Sequence, residues 1–266
     1  MTNVELSIVP SPEERRDKIE SLNCEHCAKG NLLDFDFTFA FQPIVDLDKK
    51  EIHSYEALVR GTNGEGAAEI LSRVTRENRF RFDQLCRAKA ITLASRLGMA
   101  TNININFLVN AVYDPDQCIR LTLECARKNG FPIERIILET TEEEKIEDPL
   151  FLKNVLEGYR RHGLLVAIDD FGEGYSSLNL MAQLTPEYLK LDRQLVTAID
   201  CDPVRHRIVN AMATLCREMG IRLIAEGVET LEEARTLREM GVALFQGYLF
   251  ARPGFESLPS VSHMDL

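Results

Sequence analysis

Short apolar runs alternate with amphipathic stretches along most of the chain. The runs that predict strands are residues 37–47, 52–60, 102–107, 135–140, 164–170, 188–193, 222–228 and 243–250. Most of the intervening helical patterns end in glycine, as in ECARKNG and ATLCREMG, and glycine suits the left-handed residue that closes a helix. The first two strands are separated only by the turn at 48–50, and so short a connection predicts an antiparallel pair.

This alternation predicts an α/β fold, specifically a modified TIM (β/α)8 barrel with an antiparallel first strand. An open doubly wound sheet is the main alternative, and it is disfavoured because no GxGxxG or P-loop turn follows a predicted strand. We expect an N-terminal accessory segment at 1–36, the barrel at 37–256 and a C-terminal tail at 257–266.

The accessory segment contains one CxxC pair, Cys24 and Cys27, with His26 between them. Such a pair can bind zinc or act as a redox couple, but a tetrahedral zinc site needs about four ligands. No second CxxC pair occurs in the sequence. Structural or idle thiols are therefore the default interpretation.

Composition limits the classes of ligand and the cellular locations to be expected. A net charge of −11 and a pI near 5.1 argue against a nucleic-acid polymer as the ligand, since that ligand needs a basic surface. No apolar run approaches a membrane span, and the first residues lack the apolar core of a signal peptide. Seven cysteines without a secretion signal favour reduced thiols, so we expect a cytoplasmic protein that does not bind membranes.

Candidate chemistry centres on the stretch LLVAIDDFGEGYSSL, residues 164–178. Its apolar run predicts a buried strand that ends in two carboxylates, Asp169 and Asp170. Strand geometry sends adjacent side chains to opposite faces unless the backbone bends there. Because buried carboxylates are costly without a cation or hydrogen-bond donors, the stretch predicts a divalent metal site at the mouth of the fold.

Other polar residues occupy the ends or one face of the remaining predicted strands, and a barrel brings such strand ends together at one mouth. They are Glu56 and Arg60, which share one face with the apolar Leu58, then Asn102, Asn104 and Asn106 on one face of the next strand, and Glu139, Lys190, Glu226 and Gln246. Carboxylate and amide oxygens suit Mg²⁺ or Mn²⁺ better than zinc. Two such ions can clamp a phosphodiester, with Lys190 holding the attacking water and Arg60 binding a phosphate.

Each of these residues also has an ordinary structural interpretation. A lone Glu or Asn at a strand end is often a helix cap or a loop hydrogen bond, and Lys190 alone can be a salt-bridged side chain. Asn102 and Asn104 can simply fill polar layers of a barrel. The recurrence of polar groups on most of the predicted strands favours a functional site.

Eight separated motifs make the chain similar to the EAL family of cyclic di-GMP phosphodiesterases. In chain order they are FQPIV (41–45), EALVR (56–60), INFL (105–108), ILETTE (137–142), DDFGEGYSSL (169–178), YLKLD (188–192), AEGVET (225–230) and FQGYLFARP (245–253). The fold of that family is a TIM barrel with an antiparallel first strand. Val109 stands where close relatives often carry proline, beside Asn106.

The resemblance implies a role for each matching position. Glu56, Asn106, Glu139 and Asp169 would bind one Mg²⁺ or Mn²⁺ ion, and Asp169 and Asp170 the second. Lys190 and Glu226 would orient the hydrolytic water, so the catalytic set is Glu56, Asp170, Lys190 and Glu226. Substrate would contact Gln42, Leu58, Arg60, Glu229 and Gln246. A regulatory loop would comprise Glu142, Phe171, Gly172, Gly174, Ser176 and Ser177.

The implied activity is metal-dependent hydrolysis of cyclic di-GMP to linear pGpG. Two alternatives stay open: a non-catalytic module that binds cyclic di-GMP or docks a protein, and a different two-metal hydrolase acting on another phosphodiester. The resemblance also implies a homodimer and allows a regulatory protein partner of unknown identity.

Overall fold

The computed structural model describes residues 33–108, 111–112, 115–141, 149–172 and 177–266. Eight strands close a barrel, and a ninth short strand lies outside it. The strands are β1 (Thr38–Asp46), β2 (Glu51–Arg60), β3 (Asn102–Asn106), β4 (Ile136–Thr141), β5 (Leu165–Phe171), β6 (Tyr188–Leu191), β7 (Arg222–Ala225), β8 (Leu244–Phe245) and β9 (Gly254–Phe255).

Helices lie between most strands, as expected for βα units. They are α1 (Ala67–Leu71), α2 (Arg79–Arg96), α3 (Pro115–Cys118), α4 (Arg120–Lys128), α5 (Pro149–Arg161), α6 (Ser177–Leu184), α7 (Arg193–Val196), α8 (Pro203–Met219) and α9 (Leu231–Glu239). A 3₁₀ turn, Ile133–Arg135, leads into β4. Helix α8 illustrates what fixes the first and last residues of a helix. The Asp202 side chain accepts hydrogen bonds from its first backbone amides, and Gly220 ends it in the left-handed conformation.

Strands β2 to β8 are parallel neighbours, and β1 closes the barrel between β8 and β2. β1 runs antiparallel to both of those strands, with Gln42 opposite Glu56 in the β1–β2 register. The predicted modified TIM barrel with an antiparallel first strand is therefore confirmed. β9 adds to the outside of β1, where Phe41 pairs with Gly254.

Side chains on each strand point alternately out of and into the barrel, and they therefore contribute to two separate cores. Outward-facing side chains such as Leu138, Val166 and Leu189 join the large core between barrel and helices. Inward-facing residues form a smaller apolar cluster across the barrel interior: Ile44, Ile137, Ala167, Tyr188, Ile224 and Leu244. This inner layer separates polar groups at the two ends of the barrel.

A basal cluster of polar side chains lies at the end where the parallel strands begin: Asp46, His53, Asn102, Tyr188 and Arg222. An Arg222 guanidinium nitrogen donates to Asp46 Oδ2 at 2.8 Å, and Asn102 Nδ2 donates to the His53 carbonyl at 3.1 Å. His53 enters the interior because the β1–β2 register shifts beside it. Polar groups at this end thus satisfy one another.

Several strands are shorter than predicted. β7 ends at Ala225 rather than 228, and β8 comprises only Leu244–Phe245 rather than 243–250. Beyond those points the backbone amides bond across loops, as when Leu249 N donates to the Val228 carbonyl at 3.1 Å. The predicted tail is attached to the barrel, since Tyr55 donates to the Pro259 carbonyl at 3.1 Å.

Candidate active site

Four carboxylates from different parts of the barrel surround one ammonium group at the carboxyl end of the parallel strands. Lys190 Nζ on β6 lies 2.9 Å from Asp169 Oδ1, 2.8 Å from Glu226 Oε1, 3.1 Å from Glu139 Oε1 and 3.4 Å from Glu56 Oε2. Lys190 and Glu139 are almost completely buried. We call Glu56, Glu139, Asp169, Asp170, Lys190 and Glu226 the acidic mouth.

The charges in the acidic mouth do not balance. Burial disfavours the ammonium of Lys190, but the surrounding carboxylates outweigh that cost and raise its pKa well above the usual range. Burial raises the pKa of Glu139 and of Glu226, and the neighbouring carboxylates raise both further. Lys190 therefore stays charged, while the carboxylates around it exceed what one ammonium can neutralise.

A backbone bend brings the two adjacent aspartates to the same mouth. Asp170 has φ of 53°, a conformation that non-glycine residues rarely adopt. The β5–β6 register shifts between Ile168 and Phe171 at this point. This is the bend that the sequence required if Asp169 and Asp170 were to act together.

Amide side chains connect Glu56 to the barrel wall. Gln246 Nε2 donates to Glu56 Oε2 at 2.8 Å and to Gln42 Oε1 at 3.2 Å, and Gln42 Nε2 donates to the Ala251 carbonyl at 3.2 Å. Asn106 Nδ2 donates to Glu56 Oε1 at 3.2 Å. Gly247 lets the loop pass against the Val228 backbone, where a Cβ would clash. The predicted residues Gln42, Asn106 and Gln246 thus lie at the mouth.

Asn104 belongs to the same site, although the family resemblance gave a role only to Asn106 among the three asparagines of this strand. Its side chain is fully buried and its Nδ2 donates to Glu139 Oε1 at 2.7 Å. Its Oδ1 is buried without a hydrogen-bond partner among the described residues, which costs about 1–3 kcal/mol. The shared face of Asn102, Asn104 and Asn106 was the signal that could have included it.

Three predicted substrate residues lie outside the carboxylate contacts. Leu58 and Arg60 are half-buried on β2, and Arg60 Nη1 donates to the neighbouring Val59 carbonyl at 2.7 Å. Glu229 is exposed and lies 2.9 Å from an Arg193 guanidinium nitrogen. Among the described residues, neither Arg60 nor Glu229 forms a hydrogen bond or ion pair with the acidic mouth.

The predicted regulatory loop is described only in part. Phe171 is buried at the end of β5, and Gly172 follows with φ of 110°, a conformation suited to glycine. Ser177 begins α6. Glu142, Gly174 and Ser176 lie outside the described residues, as do Val109 and the Cys24–Cys27 pair.

The donor set fits divalent cations. Ligand oxygens of Glu56, Glu139 and Asp169 lie within 4.8 Å of one another, and so do those of Asp169, Asp170 and Glu226. Asp169 is common to both groups, which is the arrangement that two neighbouring ions need. All of these ligands are hard oxygens, a set that favours Mg²⁺ or Mn²⁺.

The fold and the site define a closed α/β barrel with an acidic mouth suited to metal-assisted chemistry. The family model for the EAL domain matches residues 30–253, and the chain belongs to the EAL domain family. Within the described ranges, no helix has both the length and the apolar character needed to cross a membrane.

Two solved structures place this barrel among proteins that were crystallised with cyclic di-GMP. A stand-alone EAL protein from Vibrio cholerae O395, in its c-di-GMP-bound form, is 52% identical with a TM-score of 0.85, covering 87% of this chain and 98% of that one. The manganese and cyclic di-GMP complex of Klebsiella pneumoniae BlrP1 is 35% identical with a TM-score of 0.79, covering 85% and 58%.

Curated relatives carry different functional names. The antirepressor BluF of Escherichia coli is 30% identical over 84% of this chain and 56% of its own length. The cyclic di-GMP phosphodiesterase NbdA of Pseudomonas aeruginosa is 32% identical over 88% of this chain and 31% of its own length. The chain thus spans about half or less of the curated relatives it matches.

Proposed function

We propose that the chain is a metal-dependent phosphodiesterase that hydrolyses cyclic di-GMP to linear pGpG. The observation that carries the proposal is the meeting of Glu56, Glu139, Asp169 and Glu226 around Lys190 at one barrel mouth. The names of NbdA and of the cyclic di-GMP complexes support the choice of substrate.

The acidic mouth offers ligands for two Mg²⁺ or Mn²⁺ ions. Glu56, Asn106, Glu139 and Asp169 would hold one ion, and Asp169 with Asp170 would hold the second. When bound, these ions supply Lewis acidity to the phosphodiester and make water nucleophilic at neutral pH. Asp169 would contribute to both ion sites because its carboxylate lies in both ligand groups.

Lys190 and Glu226 would place the hydrolytic water. The raised pKa of Lys190 makes its ammonium a hydrogen-bond donor rather than a base, suited to hold water and to stabilise negative charge on the phosphate. Water attacks phosphorus, one ring P–O bond breaks, and the departing oxygen takes a proton to give the linear dinucleotide. Gln42, Leu58, Arg60, Glu229 and Gln246 would line the bound substrate.

Incubation with cyclic di-GMP, with and without Mg²⁺ or Mn²⁺, tests the proposal directly. We expect linear pGpG by chromatography only with the metal, and loss of turnover after chelation. Ca²⁺ should substitute poorly, since it prefers longer and looser coordination. Binding without turnover in every metal would instead favour the non-catalytic module, an alternative supported by the similarity to the antirepressor BluF. Turnover of other phosphodiesters alone would favour a different two-metal hydrolase.

We also propose that the protein forms a homodimer through α8. Val204 and Ile208 lie one helical turn apart and expose 61% and 45% of their surface. Ile208→Asp should shift the mass measured by light scattering from dimer to monomer, whereas Asn210→Asp, on the same helix, should not. The loop 171–178, with Glu142, would couple such contacts or a regulatory protein partner to activity. We propose a cytoplasmic location, with which the lack of disulfides among the five cysteines of the described ranges agrees.

A further inference from the structure

Asn104 lies between two carboxylates of the acidic mouth without being one of its predicted ligands. On β3 it pairs in register with Glu56 of β2, while Glu139 extends from β4 on its other side. Its side chain is completely buried, and Nδ2 donates to Glu139 Oε1 at 2.7 Å. The contact of Asn104 with the site is therefore through Glu139.

Among the described residues, the short amide bond to Oε1 is the contact that most clearly distinguishes the two oxygens of Glu139. Lys190 Nζ lies 3.1 Å from Oε1 and 3.2 Å from Oε2, so the ammonium contacts both nearly equally. A carboxylate torsion is broad and nearly two-fold, and a symmetric charge does not select one orientation. Asn104 donates to Oε1 alone, so Oε2 accepts only from Lys190 among the described residues.

We propose that Asn104 is a positioning residue that holds the Glu139 carboxylate in the orientation in which it would bind a divalent cation at the acidic mouth. The inference rests on the proposed function, because it assumes that Glu139 binds a metal ion. Hydrogen-bond partners of metal-binding carboxylates orient them, and losing one typically weakens metal affinity or activity 10- to 100-fold.

Fold stability does not account for Asn104. Its Oδ1 is buried and has no hydrogen-bond partner in the part of the chain that the structure describes, an arrangement that disfavours folding. Asn102 provides a contrast on the same strand and face. Its amide donates to the His53 carbonyl in the basal cluster and contacts no carboxylate among the described residues.

Calorimetric titration with Mn²⁺ tests the assignment on the full chain. Asn104→Leu should bind Mn²⁺ about 10- to 100-fold more weakly than the natural protein, while Asn102→Leu should bind within about threefold of it. At saturating Mn²⁺, Asn104→Leu should lower kcat for cyclic di-GMP and leave KM nearly unchanged. A general loss of barrel order would affect both asparagine variants alike.

A second variant, Asn104→Ala, removes the same amide without filling the space and serves if leucine prevents folding. Equal Mn²⁺ affinity in the natural protein and a folded Asn104 variant would overturn the inference while leaving the proposed function intact. No Mn²⁺ binding by the natural protein would overturn both. An equal loss of Mn²⁺ affinity in Asn102→Leu would also overturn the inference, since the effect would then not depend on the contact with Glu139.

Discussion

The two ends of the barrel interior both bury acidic side chains, but they balance the charge differently. In the basal cluster, Asp46 forms an ion pair with the Arg222 guanidinium and accepts hydrogen bonds from the backbone amides of Asp48 and Lys49. In the acidic mouth, four carboxylates share the single ammonium of Lys190. Matched charges stabilise a fold, whereas an unmatched surplus indicates a site that binds another cation.

Among these substitutions, Asp169→Asn should show the largest difference between the two ends, because it should nearly abolish turnover while leaving the basal cluster intact. It removes the charge common to both ligand groups of the acidic mouth. Loss of metal-assisted stabilisation is worth several kcal/mol, so turnover should fall on the order of a thousandfold. Thermal unfolding without metal should change little, because the variant reduces the surplus of negative charge. Near-normal hydrolysis of cyclic di-GMP by this variant would contradict the assignment of the mouth.

Lys190→Met should lower stability in the absence of metal. Lys190 is 1% exposed, and removing it leaves several buried carboxylates without a cation. Breaking a buried ion pair typically costs about 3–5 kcal/mol. Denaturant unfolding with chelator measures the loss, and Mn²⁺ should recover more stability in the variant than in the natural protein. An unchanged metal-free stability would show that the carboxylates do not depend on Lys190.

Asp46→Asn tests the basal cluster with a smaller effect. The variant loses the charge that faces Arg222, although an asparagine oxygen can still accept the Asp48 and Lys49 amides. A hydrogen bond to a charged group contributes about 1.5–3 kcal/mol, so stability should fall by about 2–3 kcal/mol. Mn²⁺ affinity and turnover should stay unchanged. A large loss of turnover in the folded variant would mean that the two ends are coupled.

The sequence predicted much of the fold because periodicity and turn residues are local signals. The antiparallel strands β1 and β2 followed from the short turn at 48–50, and the order of the later strands followed from the alternation with helices. The ends of β7 and β8 were not predictable from apolarity alone. Their apolar residues continue beyond the ladder into loops whose hydrogen bonds depend on tertiary contacts.

The candidate site was predictable where charged side chains recur on predicted strands, and less so where a role depends on neighbouring residues. Glu56, Glu139, Asp169 and Lys190 could be selected from their positions on predicted strands. Asn104 could not be separated from Asn102, because both share one face and only the side-chain geometry shows which one contacts Glu139.

His53 gives the basal cluster a dependence on pH that the sequence did not indicate. Burial lowers its pKa to about 4, the Arg222 charge lowers it too, Asp46 opposes the shift, and Lys49 adds a smaller lowering effect. The folded protein therefore binds fewer protons than the unfolded chain between about pH 6.5 and pH 4. Stability is unaffected by this group above that window and decreases as the pH falls through it.

His53→Gln should remove that dependence. Between pH 7.5 and pH 5 the natural protein should lose about 2 kcal/mol of unfolding free energy through this histidine, on top of losses from other groups. Urea unfolding at the two pH values gives the difference, and the drop should be about 2 kcal/mol smaller in His53→Gln. His206→Gln, which changes an exposed histidine on α8, provides the matched control. An equal drop in His53→Gln and the natural protein would mean that His53 takes up its proton in the folded state, and that the basal cluster accommodates a second positive charge beside Arg222.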